Sequence, residues 1–337
     1  MLQLEHDGVT NHRYTTSTPA RTSIPNTESH MKLKSRRNFL KQTSLAAAAL
    51  AVAAPWRARA GTLADHPGLQ LYTVGKDLAA DPAGTLAQVA AIGYRTVETA
   101  GTAGKTATEF RKTLDAAGLD CRSSHLYLPP GQTFAQFFDE AKTLGSEYVV
   151  SSFLVDPNIQ PKSADDFFKY AASLTEDDFK KLADQINKLA AQAKTVGLKF
   201  AYHNHNLEFR TWPDGSTPYD SLVAATDASL VKLELDCGWA ELAGRSPLAL
   251  FKRYPGRFRM LHIKDFVAVP HPIVTMSADL GVEWTELGRG RVDYRAILAA
   301  APSAGVEHIF VEQEPPFVKY TPLQAAKVDF DYLQSIR

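Results

Sequence analysis

The feature that most constrains this chain is a rhythm: short apolar runs alternate with longer amphipathic ones from residue 68 to the C-terminus. Eight short runs read as strands, at 68–73, 94–98, 119–125, 147–153, 199–205, 231–236, 258–264 and 308–312. Between them, Pro82–Ile92, Phe134–Leu144, 182–196 and Tyr294–Ala304 carry apolar residues at three-four spacing, as helices with one buried face do. Eight such strand-helix units predict a single (β/α)8 TIM barrel of the α/β class. A doubly wound open sheet uses the same units, but no glycine-rich dinucleotide loop follows any strand. No linker rich in Gly, Pro or Ser divides 61–337, so these residues are expected to form one catalytic domain.

Ahead of the barrel stands Ser35-Arg36-Arg37-Asn38-Phe39-Leu40-Lys41, which resembles the twin-arginine export motif, an address for proteins that fold before they cross a membrane. The apolar run 45–54 behind it is shorter than the ~20 residues of a membrane span. Ala58-Arg59-Ala60 supplies an A-x-A cleavage site, so 1–60 is expected to be an extension plus signal peptide, cut after Ala60. The expected destination is the periplasm, and the expected partner is the twin-arginine export machinery.

With 37 basic and 37 acidic residues the chain has no net charge, which argues against nucleic acid as a partner. Only two cysteines occur, so no disulfide framework can hold the fold. Strand alternation puts Cys121 on the face of His125 and Cys237 opposite Asp236, so the two are expected to stay unpaired. The residues leave the oligomeric state open, a homo-oligomer included.

In a barrel the chemistry sits at the carboxyl ends of the strands. Four consecutive strand ends carry unusual chemistry: His203-Asn204-His205-Asn206-Leu207-Glu208, Glu234-Leu235-Asp236-Cys237-Gly238-Trp239, His262-Ile263-Lys264-Asp265 and Glu312-Gln313-Glu314. Asp236, His262 and Glu312 are candidate ligands of a divalent metal. The fourth ligand would come from the fifth strand, where His203 and His205 share a face; His203 is preferred, with His205 or Glu208 in reserve. Mixed nitrogen and oxygen donors suit Mn²⁺, Co²⁺, Zn²⁺ or Fe²⁺. Lys264 shares the face of His262 and is either a positive charge near a developing oxyanion or the partner of Asp265 or another neighbour. Gln70, Tyr72, Glu98, His125, Glu208 and Trp239, at or just past strand ends, are candidate substrate contacts. Segments 154–175 and 266–286 are candidate lids. Gly288 to Tyr294 reads as a loop into a helix capped by Asp293, or as a place where backbone approaches a substrate or a phosphate.

From Gly68 onward the chain resembles the sugar phosphate isomerase/epimerase family of xylose isomerase-like TIM barrels. The matching pieces are Gly68-Leu69-Gln70-Leu71-Tyr72-Thr73-Val74, Gly93-Tyr94-Arg95-Thr96-Val97-Glu98, Ser123-Ser124-His125, the Tyr202-His203-Asn204-His205 run with Glu208-Phe209, Leu235-Asp236-Cys237-Gly238-Trp239, His262-Ile263-Lys264-Asp265 and Gly288-Arg289-Gly290-Arg291-Val292-Asp293-Tyr294. The resemblance implies a metal held by Glu, Asp, His and Glu, with the two glutamates shuttling a proton on opposite faces of a sugar. Asp236, His262 and Glu312 carry over; His203 stands where the first glutamate would be, which is a departure from two-glutamate epimerisation.

The resemblance implies a metal-dependent isomerase or epimerase, with manganese as the first expectation, that removes a proton next to a sugar carbonyl. Glu312, His203 or His205 would be the base. The alternatives are a lyase or hydrolase cleaving 3-keto-glycosides by the same enolisation, and a periplasmic sugar-binding protein without turnover.

Overall fold

A computed structural model of the chain describes residues 62–337 apart from 127, 129–130, 153–163, 268 and 278–279. The twin-arginine motif, the cleavage site and the first part of the 154–175 segment lie outside the described residues. Eight parallel strands close a barrel in chain order: β1 (Gly68–Gln70), β2 (Thr96–Thr99), β3 (Asp120–His125), β4 (Tyr148–Ser151), β5 (Lys199–His203), β6 (Val231–Asp236), β7 (Phe258–Ile263) and β10 (His308–Val311). A separate antiparallel pair, β8 (Asp265–Phe266) with β9 (Trp284–Thr285), falls between β7 and β10 along the chain. Each expected strand is present; β6 has the expected bounds, β2 and β3 start later than expected, and β1, β4, β5, β7 and β10 end earlier because the chain turns there to form the site. After Gln70, for example, Leu71–Val74 winds into a 3-10 turn, and Gln70 Oε1 accepts from Tyr72 N at 3.0 Å.

Helices Pro82–Ile92, Phe134–Leu144 and Tyr294–Ala304 fall where the periodicity predicts them, while the expected 182–196 helix runs longer, over Glu176–Thr195. Its N-terminus is set further back by Thr175 and Asp178, which form a capping box. Outward faces of the strands, including Leu69, Val97, Val149, Phe200, Leu233, Leu261 and Ile309, join the helices in the main apolar core. Inside the ring a smaller cluster of Tyr148, Val150, Ala201, Met260 and Phe310 fills the barrel's centre. Polar side chains stack above it at the carboxyl ends.

Two register shifts aim the site. Val97 pairs with Cys121, but Glu98 pairs with Ser123, so Arg122 is an extra residue in β3. Likewise Leu233 pairs with Phe258 and Glu234 with Met260, so Arg259 is extra in β7. A one-residue bulge turns every later side chain of the strand to the opposite face. Cys121 therefore turns outward toward Ser146, whose Oγ is 3.2 Å from its Sγ, while Ser123 and His125 turn inward. The expectation that Cys121 shares the face of His125 is thus corrected, and the two cysteines are both buried and free.

Candidate active site

The mouth of the barrel holds a cavity of about 440 Å³. Of the residues expected to meet a substrate or metal, Gln70, Tyr72, His125, His203, His205, Trp239 and Glu312 line it. Two side chains from the expected lid segments, Phe168 and Met276, close it from the sides. Asn206 holds the second of these segments by donating to the carbonyls of Ile273 and Thr275 at 3.1 and 2.9 Å.

Below the cavity, ligand atoms of Asp236, His262 and Glu312 lie within 4.8 Å of one another. His262 Nδ1 is 3.1 Å from Glu312 Oε2 and 3.9 Å from Asp236 Oδ2, and His203 Nε2 is 3.8 Å from the same Asp236 oxygen. Asp236 is fixed from behind, because its Oδ1 caps the following helix through Trp239 N at 2.8 Å and Asn204 brackets its backbone. Its Oδ2 is buried and makes no hydrogen bond of good geometry, and the cation beside it is the Lys264 ammonium at 3.1 Å. A buried carboxylate needs a cation, which Lys264 supplies here, so what points to a metal is the donor set gathered around it. Two imidazole nitrogens and two carboxylates around that oxygen are a donor set that fits a divalent ion.

Lys264 reaches this centre from the end of β7. Its Nζ lies 3.1 Å from Asp236, 2.5 Å from Glu312 and 2.8 Å from Glu314, under the indole of Trp239 at 5.1 Å. Of the two roles left open for it, the structure shows pairing with these three carboxylates, and Asp265 is not among its partners. Burial works against its charge, but the carboxylates outweigh burial and hold its pKa well above the ordinary lysine value. Gly238 makes room for the stem, since a Cβ there would stand 2.4 Å from Lys264 Cγ. Tyr294 clamps the Lys264 backbone, its hydroxyl donating to the carbonyl at 2.6 Å.

Asp265 points away and gathers four backbone amides: Phe266 N and Val292 N on Oδ1, Gly288 N and Gly290 N on Oδ2, at 2.9 to 3.1 Å. The amides of the 288–294 loop are thus spent on a carboxylate of the same chain, so they offer no phosphate cradle. Asp293 caps the next helix as expected, accepting from Ala296 N at 3.1 Å.

Two expected substrate contacts sit elsewhere. Glu98 is fully buried beneath the cavity, where Gln70 Nε2 and Ser123 Oγ donate to it at 2.9 and 2.6 Å and where it also meets His125 and His262. Glu208 is likewise buried off the cavity; it accepts from Tyr202 Oη at 2.9 Å and His205 N at 3.1 Å, so it braces the turn that carries His205. Burial pushes its pKa up to about 7. It is therefore neither ligand nor substrate contact in this structure. Conversely, Glu234 and Glu314 join the site although the sequence marks them only as strand-end acids. Their one signal is period-two spacing from Asp236 and Glu312.

The charge states divide the imidazoles. Burial lowers His203, and the neighbouring His262 and His205 lower it further, so it is neutral. Burial and Lys264 push His205 down to about 3. Burial also opposes charge on His125, but Glu98 and a 3.0 Å bond to Glu234 overcome it and raise its pKa to about 10. One wall of the cavity therefore presents proton acceptors and another a proton donor.

Fold and site define a barrel whose polar mouth gathers candidate metal ligands, the architecture of a small-molecule enzyme. Residues 86–336 match the xylose isomerase-like TIM barrel model, and the chain belongs to that family. The inosose dehydratase of Lacticaseibacillus casei is 30% identical over 168 residues, which are 48% of this chain and 55% of that protein. The chain thus spans about half the length of the curated relatives it matches. A sugar phosphate isomerase/epimerase from Parabacteroides distasonis ATCC 8503 is 26% identical with a TM-score of 0.63, covering 85% of this chain and 98% of that one. An IolI protein with a bound zinc atom shares the fold at 17% identity and a TM-score of 0.59, over 80% of this chain and 97% of its own.

Proposed function

We propose that this protein is a divalent-metal-dependent carbohydrate enzyme that enolises a keto sugar or keto-polyol, with elimination of a group β to the carbonyl as the outcome. The observation that carries the reading is the convergence of His203 Nε2, His262 Nδ1 and Glu312 on Asp236 at the floor of the cavity, with ligand atoms of Asp236, His262 and Glu312 within 4.8 Å of one another. His203, Asp236, His262 and Glu312 would hold the ion, which as a Lewis acid stabilises negative charge developing on a carbonyl oxygen by several kcal/mol. The chain's own groups account for the proton traffic. Glu312 or the neutral His205 takes the proton from the carbon next to the carbonyl, Lys264 adds fixed positive charge, and the His125 imidazolium gives a proton to the departing hydroxyl, which leaves as water.

Elimination is favoured over epimerisation because the fifth strand offers neutral imidazoles where a second glutamate base would stand, while His125 supplies an acid. The resemblance to inosose dehydratases, named for removal of water from a cyclic polyol ketone, supports the same choice. Isomerisation or epimerisation through the same enediolate is the second reading, supported by the Parabacteroides relative. Cleavage of a 3-keto-glycoside would use the same steps with an alkoxide as leaving group.

The test is incubation of the protein loaded with Mn²⁺, Co²⁺ or Zn²⁺ with inososes, ketoses and 3-keto-glycosides in D₂O. An unsaturated ketone product supports dehydration, and deuterium in an intact isomer supports the second reading. Tight sugar binding without exchange of the proton next to the carbonyl under any metal refutes both and leaves a binding protein. We further propose export by the twin-arginine route, supported by the motif at 35–41; an N-terminus other than Gly61 on protein recovered from the periplasm would refute the cleavage site.

A further inference from the structure

A second set of metal-type donors lies one layer deeper than the first. His125 Nε2, His203 Nδ1 and His262 Nε2, from three different strands, lie 3.0, 3.0 and 3.4 Å from one oxygen, Glu234 Oε2. His125 and His203 use the two lone-pair directions of that oxygen, while His262 Nε2, the third nitrogen facing it, hydrogen-bonds Glu98 Oε2. Ligands of a tetrahedral ion with bonds of about 2.1 Å stand about 3.4 Å apart, against 3.0 to 3.4 Å from these nitrogens to the Glu234 oxygen. Glu234 Oε1 is buried without a hydrogen-bond partner, a second sign of an incomplete site. All four side chains offer ligand atoms within 4.8 Å of one another.

We infer that His125, His203, His262 and Glu234 form a second divalent-cation site, of three nitrogens and one oxygen, that takes zinc-class ions. Imidazole-rich sites suit zinc, iron, nickel and copper, whereas the upper set of two nitrogens and two oxygens suits manganese better. The two positions share His203 and His262, which present opposite nitrogens to each: Nδ1 below and Nε2 above for His203, Nε2 below and Nδ1 above for His262. A neutral imidazole has one free lone pair, so the positions exclude each other and the chain holds one ion at a time. With the ion below, the upper nitrogens carry hydrogens toward Asp236 and Glu312, and Lys264 already neutralises those carboxylates. With the ion above, Glu234 and Glu98 accept from the lower nitrogens. The site rests on the metal-dependent reading above but is an alternative seat for the ion, in which His125 is a ligand and no longer an acid; it is tested by locating ions rather than by turnover, so either can fail without the other.

Crystals of the full chain with zinc, measured at the zinc edge, locate the ion directly. A single anomalous peak bounded by Glu234 and the three imidazoles supports the inference; a peak between Asp236 and Glu312 alone, or no peak, overturns it. Solution binding provides the second test. The Asp236→Asn, Glu312→Gln variant should keep one zinc per chain by calorimetry, and adding His125→Asn should weaken that binding at least 100-fold, with circular dichroism confirming the fold. Loss of zinc from the first variant while it remains folded, or indifference of its affinity to His125→Asn, overturns the inference.

Discussion

Replacing Lys264 by Met tests the electrostatic balance of the site most directly. The ammonium is fully buried and sits 2.5 to 3.1 Å from three carboxylates, with two indoles over it. Met keeps most of the stem that passes Gly238, so the change removes charge more than volume. Breaking a buried ion pair by deleting one partner costs about 3–5 kcal/mol, because the surviving charge is left uncompensated. For a domain of this size each kcal/mol lowers Tm by about 2–4 °C, so K264M in EDTA should melt about 6–20 °C below the wild type. A divalent ion at Asp236 and Glu312 replaces the lost cation. Stabilisation by a ligand at a hundredfold excess over its Kd is about 2.7 kcal/mol, and Mn²⁺ should therefore restore much of the deficit in K264M. The wild type should gain less, since its ion must compete with an ammonium already in place. Differential scanning calorimetry of both proteins, with EDTA and with Mn²⁺, reads all four values. Equal melting of the two proteins in EDTA, or equal gains with Mn²⁺, would refute the reasoning.

The other predictions concern the scaffold. Glu208, held near pKa 7 against 4.5 when unburied, keeps its proton in the folded state over a range where the unfolded chain has lost it. Its contribution is therefore full below pH 4.5 and disappears as pH rises through 7, a loss of about 3 kcal/mol. Denaturant titrations from pH 4.5 to 8 should show a shallower decline for Glu208→Gln, and an identical slope would contradict the assignment. Gly290→Ala would place a Cβ 2.2 Å from Asp265 Oδ1 and 2.4 Å from the Phe266 carbonyl. Backbone must move, so urea melts should show a loss of about 1–3 kcal/mol or more, and a change under about 0.5 kcal/mol would be incompatible with the amide cluster around Asp265. Cys121 and Cys237 should resist a thiol reagent in the native protein and both react in denaturant; a disulfide found by mass spectrometry would contradict two buried, free thiols.

The sequence by itself determined the number and order of the barrel strands, because local apolar periodicity reports which faces must be buried regardless of what they meet. It also marked Asp236, His262 and Glu312, since strand ends are where a parallel barrel exposes side chains. Tertiary structure decided the depth of each group. Arg122 and Arg259 are extra residues in their strands, and nothing local in the sequence distinguishes a bulged position from a paired one. Those bulges turn Cys121 out and His125 in, and they set the height of Glu98 and Glu234 beneath the cavity. Closure of the ring then brings Glu98 against His262, 164 residues away. Partners separated that far along the chain are chosen by barrel register, a property of all eight strands together, so Glu98 could be read as a polar strand end but not as the floor of the site.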